Sequence, residues 1–403
     1  MAKRQDARLV ANPVQEPPIE LGLALSGGGF RAMLFHLGAL YRLNELGLLG
    51  KVDAVSGVSG GSFVTGVLAS RWSRLVWEGG RATNFDDVIA RPIEDLSRRR
   101  LDAPIVALGL LPFVNPANVL AWVLDRGLFH GIRLDQLPDA PRFVFNATHL
   151  ATGTGWYFSK EFMGTYRVGR IEHPTEKLAV AVAASAAFPP IVSPLVLRMN
   201  PSSWKPNEGL SDLYGDIALR RKALLLDGGA YDNMGLQYFA PRNDSNLAPV
   251  QPVKTLLVSD GGGNLSVDSR TWRYTWWSAQ LKRTLDMSVE QDRALRRQDV
   301  IAASDAGSYK LAMWRTVTNP AKFSHVKQPF SVSATWRNYL ATRPTRMWPF
   351  SERDRHALVD WGYLASDLAL RAFLAPHSPA PTLLPRGTDF GIEPAAVEVA
   401  GGS

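Results

Sequence analysis

Ser59 lies in a short sequence that is typical of a serine nucleophile. Residues 57–61 read Gly-Val-Ser-Gly-Gly and match G-x-S-x-G, a pattern that presents a serine hydroxyl at a sharp turn between a strand and a helix. The pattern is short enough to arise by chance, so its context decides what it means. An apolar strand is predicted before it at 52–55 and a helix after it at 62–72. This context favours a nucleophile turn over an ordinary loop.

A second short sequence could stabilise the negative charge that forms when a serine attacks a carbonyl group. Residues 26–31 read Ser-Gly-Gly-Gly-Phe-Arg and follow a predicted buried strand at 21–25. Glycines let backbone N–H groups approach a substrate oxygen closely, and one such donor is typically worth about 3–4 kcal/mol in the transition state. The loop is therefore a candidate oxyanion hole.

The same glycine loop also matches the dinucleotide-binding fingerprint. Residues 27–32 read Gly-Gly-Gly-Phe-Arg-Ala and fit G-x-G-x-x-G/A between a strand and a helix. That fingerprint requires an acidic residue about 20 positions further on, at the carboxyl end of the second strand. The nearby candidate, Asp53, lies at the start of that strand, and the strand ends in the nucleophile turn. The nucleotide-binding interpretation fails at this second position.

A serine nucleophile needs a base within hydrogen-bond reach. Asp227 and Asp260 each follow a short apolar strand and precede two or three glycines, and functional groups of parallel sheets collect at strand ends. Composition does not choose between these two carboxylates. His36 and His149 are the best-placed histidines, but a lone histidine on a helix or after a strand is more often a packed or surface residue.

The elements that would position these residues alternate between strand and helix. Such alternation within few residues predicts a parallel sheet with helices packed on it. The strands are predicted at 21–25, 52–55, 143–145, 223–226 and 255–258, and the helices at 30–48, 62–72, 175–187, 272–301 and 352–373.

The remaining segments give the domain organisation. A proline-rich leader covers 1–20, and one α/β domain is expected over 21–375. An insertion around 80–140 interrupts this domain, and a helical extension begins at about 265. The tail 376–403, rich in proline, glycine and alanine, is predicted to be disordered.

The composition excludes several classes of function. The chain has 403 residues, 46% of them hydrophobic, and no cysteine, so cysteine nucleophiles, disulfides and cysteine–zinc sites are excluded. Seven scattered histidines show no metal-ligand spacing. The first 20 residues lack the apolar core of a signal peptide, and we see no membrane-spanning run, so a cytoplasmic protein is expected. The net charge of +8 is mostly dispersed, as on a solvated basic surface.

Taken together, three blocks of the sequence resemble the patatin-like phospholipases. Residues 25–32 resemble the family's glycine-rich oxyanion block, residues 55–62 its nucleophile turn, and residues 226–229 its D-G-G/A block. Residues 184–189 also look like a segment that lines the site in this family. The resemblance extends over about 21–264. It departs from many relatives at Ala32, where they carry glycine.

The resemblance implies a three-layer α/β/α fold with a mostly parallel central sheet, and a Ser–Asp catalytic dyad. The dyad maps to Ser59 and Asp227, which selects Asp227 over Asp260. No metal or other cofactor is implied. The oxyanion hole maps to the backbone amides of the glycine loop and its neighbours, and further glycines complete the motifs: Gly27, Gly28, Gly29, Phe30 and Arg31 for the hole, and Gly57, Gly61, Gly228 and Gly229 for the motifs.

The implied activity is cleavage of fatty-acyl esters, with phospholipid as the expected substrate. A general carboxylesterase or triacylglycerol lipase and a non-catalytic lipid-binding relative are the alternatives. The basic run 98–100 beside the apolar stretch 103–114 suggests peripheral membrane contact near a lid, although that stretch could equally fill a core layer. Nucleic acid is not expected as a partner, because the aromatic and basic cluster at 272–283 is better interpreted as a helix that packs its tryptophans.

Overall fold

The fold was analysed in a computed structural model of the chain. It describes residues 19–101, 105, 108, 114–189, 192–240, 253–263, 265, 272 and 275–391.

One large sheet of eleven strands forms the centre of the described structure. Its order is β10-β8-β7-β6-β5-β2-β1-β12-β13, with β11 paired to β5 and to β9. The pairs β5-β2, β2-β1, β1-β12 and β12-β13 are parallel, and the remaining pairs are antiparallel. The strands are β1 (Ile19–Leu25), β2 (Ala54–Val58), β5 (Arg142–His149), β6 (Thr154–Phe158), β7 (Phe162–Thr165), β8 (Gly169–Glu172), β9 (Leu195–Arg198), β10 (Trp204–Lys205), β11 (Lys222–Asp227), β12 (Val253–Asp260) and β13 (Lys310–Arg315), while β3 (Trp77–Glu78) and β4 (Arg81–Ala82) form a separate hairpin.

Helices cover both faces of this sheet. Those of the described residues are α1 (Gly29–Glu45), α2 (Gly60–Arg71), α3 (Arg91–Ser97), α4 (Pro116–Leu124), α5 (Leu178–Ser185), α6 (Ile217–Arg221), α7 (Trp277–Asp305), α8 (Ala334–Ala341) and α9 (Glu352–Phe373).

Two hydrophobic cores separate the faces, as the alternation of side chains along β1 requires. Leu23 and Leu25 point into a large core that they share with α1, α2, α5 and α9. Ala24 points to the opposite side, into a smaller core with Phe239 and Val300. The described structure is therefore layered as helix, sheet and helix, with α7 supplying a helix of the second face.

The helix pair α1 and α9 shows why residues far beyond the glycine loop belong to the same body. A Cβ atom on Gly38 would lie 1.8 Å from the Val359 carbonyl oxygen, and one on Gly362 would lie 1.9 Å from the Phe35 carbonyl oxygen. Only glycine at both crossings lets the two helices approach this closely.

The predicted α/β fold is confirmed, and the parallel strands are those that carry the nucleophile turn and the glycine loop. The sequence did not predict the antiparallel part formed by β6 to β11. Predicted disorder from residue 376 does not hold for 376–391, because Arg386 donates to Glu94 and Phe390 packs against Trp336. No helix within the described residues combines the length and apolar character that a bilayer crossing requires.

Candidate active site

Ser59 occupies a strained backbone position between β2 and α2. Its φ of 50° and ψ of −114° lie in a region that residues other than glycine rarely adopt. The strand runs to Val58 and the helix starts at Gly60, so the whole change of direction falls on the serine. This geometry separates the Ser59 side chain from the flanking strand and helix, as a nucleophile turn requires.

The motif glycines let three backbone segments pack around this turn. A Cβ atom on Gly61 would lie 2.2 Å from the Leu25 carbonyl oxygen, and one on Gly57 would lie 2.2 Å from the Thr65 hydroxyl oxygen. Gly60 is pressed against the glycine loop, where its Cβ atom would lie 2.3 Å from the Gly29 carbonyl oxygen. The nucleophile turn and the glycine loop are therefore in direct backbone contact.

Gly28 and Gly29 provide the amides best suited to an oxyanion hole. Both have positive φ, 145° and 59°, which favours glycine. Their N–H groups donate to no acceptor within the described residues, and both glycines line the same cavity as Ser59. These are the donors that an oxyanion beside Ser59 would need.

The structure narrows the predicted set of oxyanion donors. The N–H of Gly27 donates to the Asn233 carbonyl oxygen (2.9 Å), and the N–H of Phe30 donates to the Arg346 carbonyl oxygen (3.2 Å). Expecting Gly27 and Phe30 to donate to substrate is therefore wrong for this conformation, because both amides are already paired inside the protein.

Asp227 reaches Ser59 by a strand that runs opposite to β2. On one edge of β5, β2 pairs in parallel up to Val58 opposite Asn146, and β11 then pairs antiparallel down to Asp227 opposite Ala147. The ends of β2 and β11 therefore pair with consecutive residues of β5, Asn146 and Ala147. The prediction that Asp227 lies at a strand end is correct, but that strand is antiparallel to its neighbours and not part of the parallel set.

The Asp227 carboxylate is buried and held by the turn that follows it. Its Oδ1 accepts the N–H of Gly229 at 2.7 Å, while Oδ2 has no hydrogen-bond partner among the described residues. Burial raises the pKa of the Asp227 carboxyl to about 6, although the Gly229 N–H and the Ser59 hydroxyl act in the opposite direction. Ser59 lies close enough to lower this pKa, although no hydrogen bond of ordinary geometry joins its hydroxyl to Asp227.

The end of α5 holds both candidate catalytic residues. The Ser185 hydroxyl accepts the N–H of Ser59 at 2.9 Å, and the Ala187 carbonyl oxygen accepts the N–H of Asp227 at 2.8 Å. Sequence analysis identified residues 184–189 as lining the site but did not find this role of Ser185. A buried serine inside an alanine-rich helix was the available signal.

Asp260, the other candidate base, is paired with two arginines. Asp260 forms ion pairs with Arg293 (2.7 Å) and Arg315 (3.2 Å). Burial opposes its ionisation, but these two guanidinium groups outweigh that effect and hold the pKa of Asp260 below its ordinary value. Asp260 does not line the cavity that contains Ser59.

The other candidate residues are structural. His36 is fully buried between the Ser259 hydroxyl (2.7 Å) and the Ser26 carbonyl oxygen (2.9 Å), and burial lowers its pKa to about 4. His149 is also buried and contacts Thr152, so of the two positions expected for these histidines, packed or at the surface, both occupy the packed one. The Asp53 carboxylate accepts the N–H of Leu21 at 2.9 Å, which joins the starts of two strands.

Arg31 acts as an internal clamp on the glycine loop. Its guanidinium group is buried and donates to the carbonyl oxygens of Gly261 (3.2 Å), Ala341 (3.4 Å) and Arg343. These carbonyl groups lie after β12 and after α8, far along the chain. Arg31 thereby fixes residues 341–348, a segment called the strap below, against the oxyanion amides.

A cavity of about 880 Å³ joins these groups, within the range usual for small-molecule sites. Its polar floor contains Ser59, Asp227 and the amides of the glycine loop, and the strap and α7 form part of its walls. Apolar side chains supply much of the remaining lining: Phe63, Ala186, Phe188, Val192, Val289 and Met347. In the described part of the chain, no cluster of three or more histidine or carboxylate side chains is placed to hold a metal ion.

Residues 23–240, more than half of the chain, match the sequence profile of the Patatin-like phospholipase family, and the chain belongs to this family. The putative meiotic phospholipase SPO1 of Saccharomyces cerevisiae is 41% identical over 51 residues, which are 13% of this chain and 8% of the yeast protein. The matched segment therefore spans only a small part of either protein.

Two solved structures align with most of this chain at low identity. Human GIVD cytosolic phospholipase A2 aligns over 88% of this chain and 61% of its own, with 14% identity and a TM-score of 0.48. VipD from Legionella pneumophila aligns over 88% of this chain and 67% of its own, with 14% identity and a TM-score of 0.33.

Proposed function

We propose that this protein hydrolyses fatty-acyl esters, with Ser59 as nucleophile and Asp227 as base. The observation that carries the proposal is the meeting of β2 and β11 on one edge of β5, because it brings a strained serine and a buried carboxylate into one cavity. Membership of the patatin-like phospholipase family supports the same assignment.

The geometry supports a two-step reaction. Asp227 takes the proton of the Ser59 hydroxyl while the serine oxygen forms a bond to the acyl carbon, and the amides of Gly28 and Gly29 hold the resulting oxyanion. The ester C–O bond then breaks, and the leaving alcohol takes the proton from Asp227. In the second step Asp227 takes a proton from water, the water oxygen attacks the acyl carbon, and the fatty acid leaves as Ser59 regains its proton.

The walls of the cavity favour a substrate with a long acyl chain. Apolar side chains flank the polar floor on the α2, α5 and strap sides, so they can cover methylene groups while the ester lies at Ser59. Phospholipid is the proposed substrate, taken from a membrane that the protein contacts peripherally. A carboxylesterase or lipase activity on neutral esters would use the same walls.

The test is fatty-acid release from a panel of phospholipids, triacylglycerol and short soluble esters. We expect Ser59→Ala and Asp227→Asn to lose activity by a factor on the order of 10⁴ on every substrate that the wild type cleaves. The matched control is Asp260→Asn, compared per folded molecule, because Asp260 follows a similar strand but lies outside the cavity. An inactive Asp260→Asn beside an active Asp227→Asn would reverse the assignment of the base.

A further inference from the structure

Three tryptophans at the start of α7 are exposed to solvent. Trp272, Trp276 and Trp277 have relative exposures of 67%, 68% and 75%, and Leu281, one turn further on, has 48%. The expectation that this cluster packs its tryptophans is therefore wrong. Several large apolar side chains exposed together indicate an interaction surface.

Helix α7 begins at Trp277, after the other two tryptophans, and forms a wall of the cavity that contains Ser59. Arg283 and Asp286 line the cavity, and Arg293, further along α7, is buried against Asp260. Exposure rises from Arg293 back toward Trp277, so α7 leaves the protein body in that direction. Trp277 lies six residues before Arg283, about 9 Å along the helix. The tryptophans are thus at the outer end of the cavity wall.

The opening of the cavity also carries exposed aromatic side chains, with arginines beside them. Phe188 and Trp348 both line the cavity and are each 39% exposed, which places them at its mouth. The Arg100 guanidinium carbon lies 4.1 Å from the centre of the Trp348 ring, and Arg346 on the strap is exposed. Aromatic groups and cations therefore lie side by side at the opening.

This combination suits the surface of a lipid bilayer. Tryptophan prefers the boundary between head groups and acyl chains, and arginines near that boundary attract anionic head groups. The basic run 98–100 belongs to this rim through Arg100. Of the apolar stretch 103–114, Ile105 is buried and Leu108 is 42% exposed, while most of the stretch lies outside the described residues.

We propose that the start of α7 and the cavity mouth form one docking surface for an anionic phospholipid bilayer. The surface consists of Trp272, Trp276, Trp277, Phe188 and Trp348, with Arg100 and Arg346 at its edge. It rests on the proposed function, because a docked mouth lets an acyl chain pass from the bilayer to Ser59 without crossing water. A lipid surface is favoured over a protein partner because exposed aromatic groups lie at the cavity mouth and at the outer end of its α7 wall, and cations lie beside those at the mouth.

The test measures binding of the full chain to vesicles of phosphatidylcholine and phosphatidylglycerol. The protein carries Ser59→Ala so that the lipid is not consumed, and the variant adds Trp272→Ala, Trp276→Ala and Trp277→Ala. We expect the triple change to weaken vesicle binding at least about tenfold, and vesicles of phosphatidylcholine alone to bind the parent more weakly. The matched control is Trp122→Ala, since Trp122 is 55% exposed on α4 and does not line the cavity.

Unchanged vesicle binding by the triple variant would overturn the proposal. So would a tryptophan-dependent self-association in solution with vesicle binding intact, because it would assign the surface to a second copy of the chain. With Ser59 restored, the triple variant should still hydrolyse a short soluble ester, and its loss would assign the tryptophans to the fold instead. If Ser59→Ala retains ester hydrolysis, the proposed function fails while the binding result stands.

Discussion

Ser59 and Asp227 are held by the same helix end, through the Ser185 hydroxyl and the Ala187 carbonyl oxygen. The two acceptors are two residues apart at the end of α5. The separation between the proposed nucleophile and the proposed base is thus set by backbone groups and one buried hydroxyl. This arrangement makes Ser185 the most direct target for changing the dyad without removing either member.

Ser185→Ala should lower kcat for a soluble ester about tenfold or more. The substitution leaves the partly buried N–H of Ser59 without its partner, at a cost of up to about 1–3 kcal/mol, and allows the strained turn to relax. The control is Ser70→Ala, because the Ser70 hydroxyl bonds only to groups of its own helix α2, the carbonyl oxygens of Gly66 and Val67 and the Arg71 guanidinium group, and the turn at Ser59 keeps its partners. An unchanged kcat in Ser185→Ala would show that the turn holds its shape without this bond.

Ester hydrolysis should increase with pH through an apparent pKa near 6 and then level off. Burial raises the pKa of Asp227 to about 6, and only the ionised carboxylate can take the proton of Ser59. The measurement is kcat/KM for a soluble uncharged ester across the acid and neutral range. A plateau already complete near the ordinary aspartate pKa would contradict the burial of this carboxylate.

Asp227→Asn should stabilise the fold while it abolishes activity. Because burial raises the pKa of Asp227 from 3.8 to about 6, the charged form costs roughly 2–3 kcal/mol in the folded state at neutral pH. This cost is absent below about pH 4, grows up to about pH 6 and is constant above. Denaturant unfolding should therefore show a gain for the variant at pH 8 and little difference at pH 4. A variant less stable than the wild type at pH 8 would refute the argument.

Arg31→Met should lower both the free energy of unfolding and kcat. It leaves three carbonyl oxygens without their donor, each costing about 1–3 kcal/mol where it stays buried, and it frees the strap from the glycine loop. Arg31→Lys should lose less, because an ammonium group can reach part of the set. Arg81→Met, on the exposed hairpin, is the control. Normal stability with a loss confined to phospholipid substrates would instead assign Arg31 to the head group.

Sequence predicted those parts of the site that local signals encode. The helix over Glu352–Phe373 was predicted at its observed bounds because its apolar periodicity is unbroken. The nucleophile turn and the glycine loop were predicted because both need glycines that pack against backbone atoms, and these glycines stand together in the sequence. The resemblance favoured Gly28 and Gly29 as the donors of the loop, but the sequence could not show that the Gly27 and Phe30 amides are already paired, since their acceptors come from residues more than 200 positions away.

The remainder of the site depends on long-range pairing that no local pattern records. Asp227 and Asp260 have similar sequence surroundings, and the structure distinguishes them by what meets each strand end: Ser59 in one case, two arginines in the other. The position of the tryptophans before α7 could not be predicted for the same reason. A tryptophan-rich segment is as suitable for a core as for a surface, and the direction in which α7 leaves the protein body determines that these side chains are exposed.

The pairing of β1 with β12 has a practical consequence for work on shortened proteins. The family match ends at residue 240, whereas β12 begins at Val253 and hydrogen-bonds along β1 from Ile19 to Leu25. A polypeptide that stops at 240 would leave β1 with one bare, apolar edge, a common cause of aggregation through strand addition. Insoluble material from such a fragment would reflect that uncovered strand and would say nothing about whether the full-length protein is an enzyme.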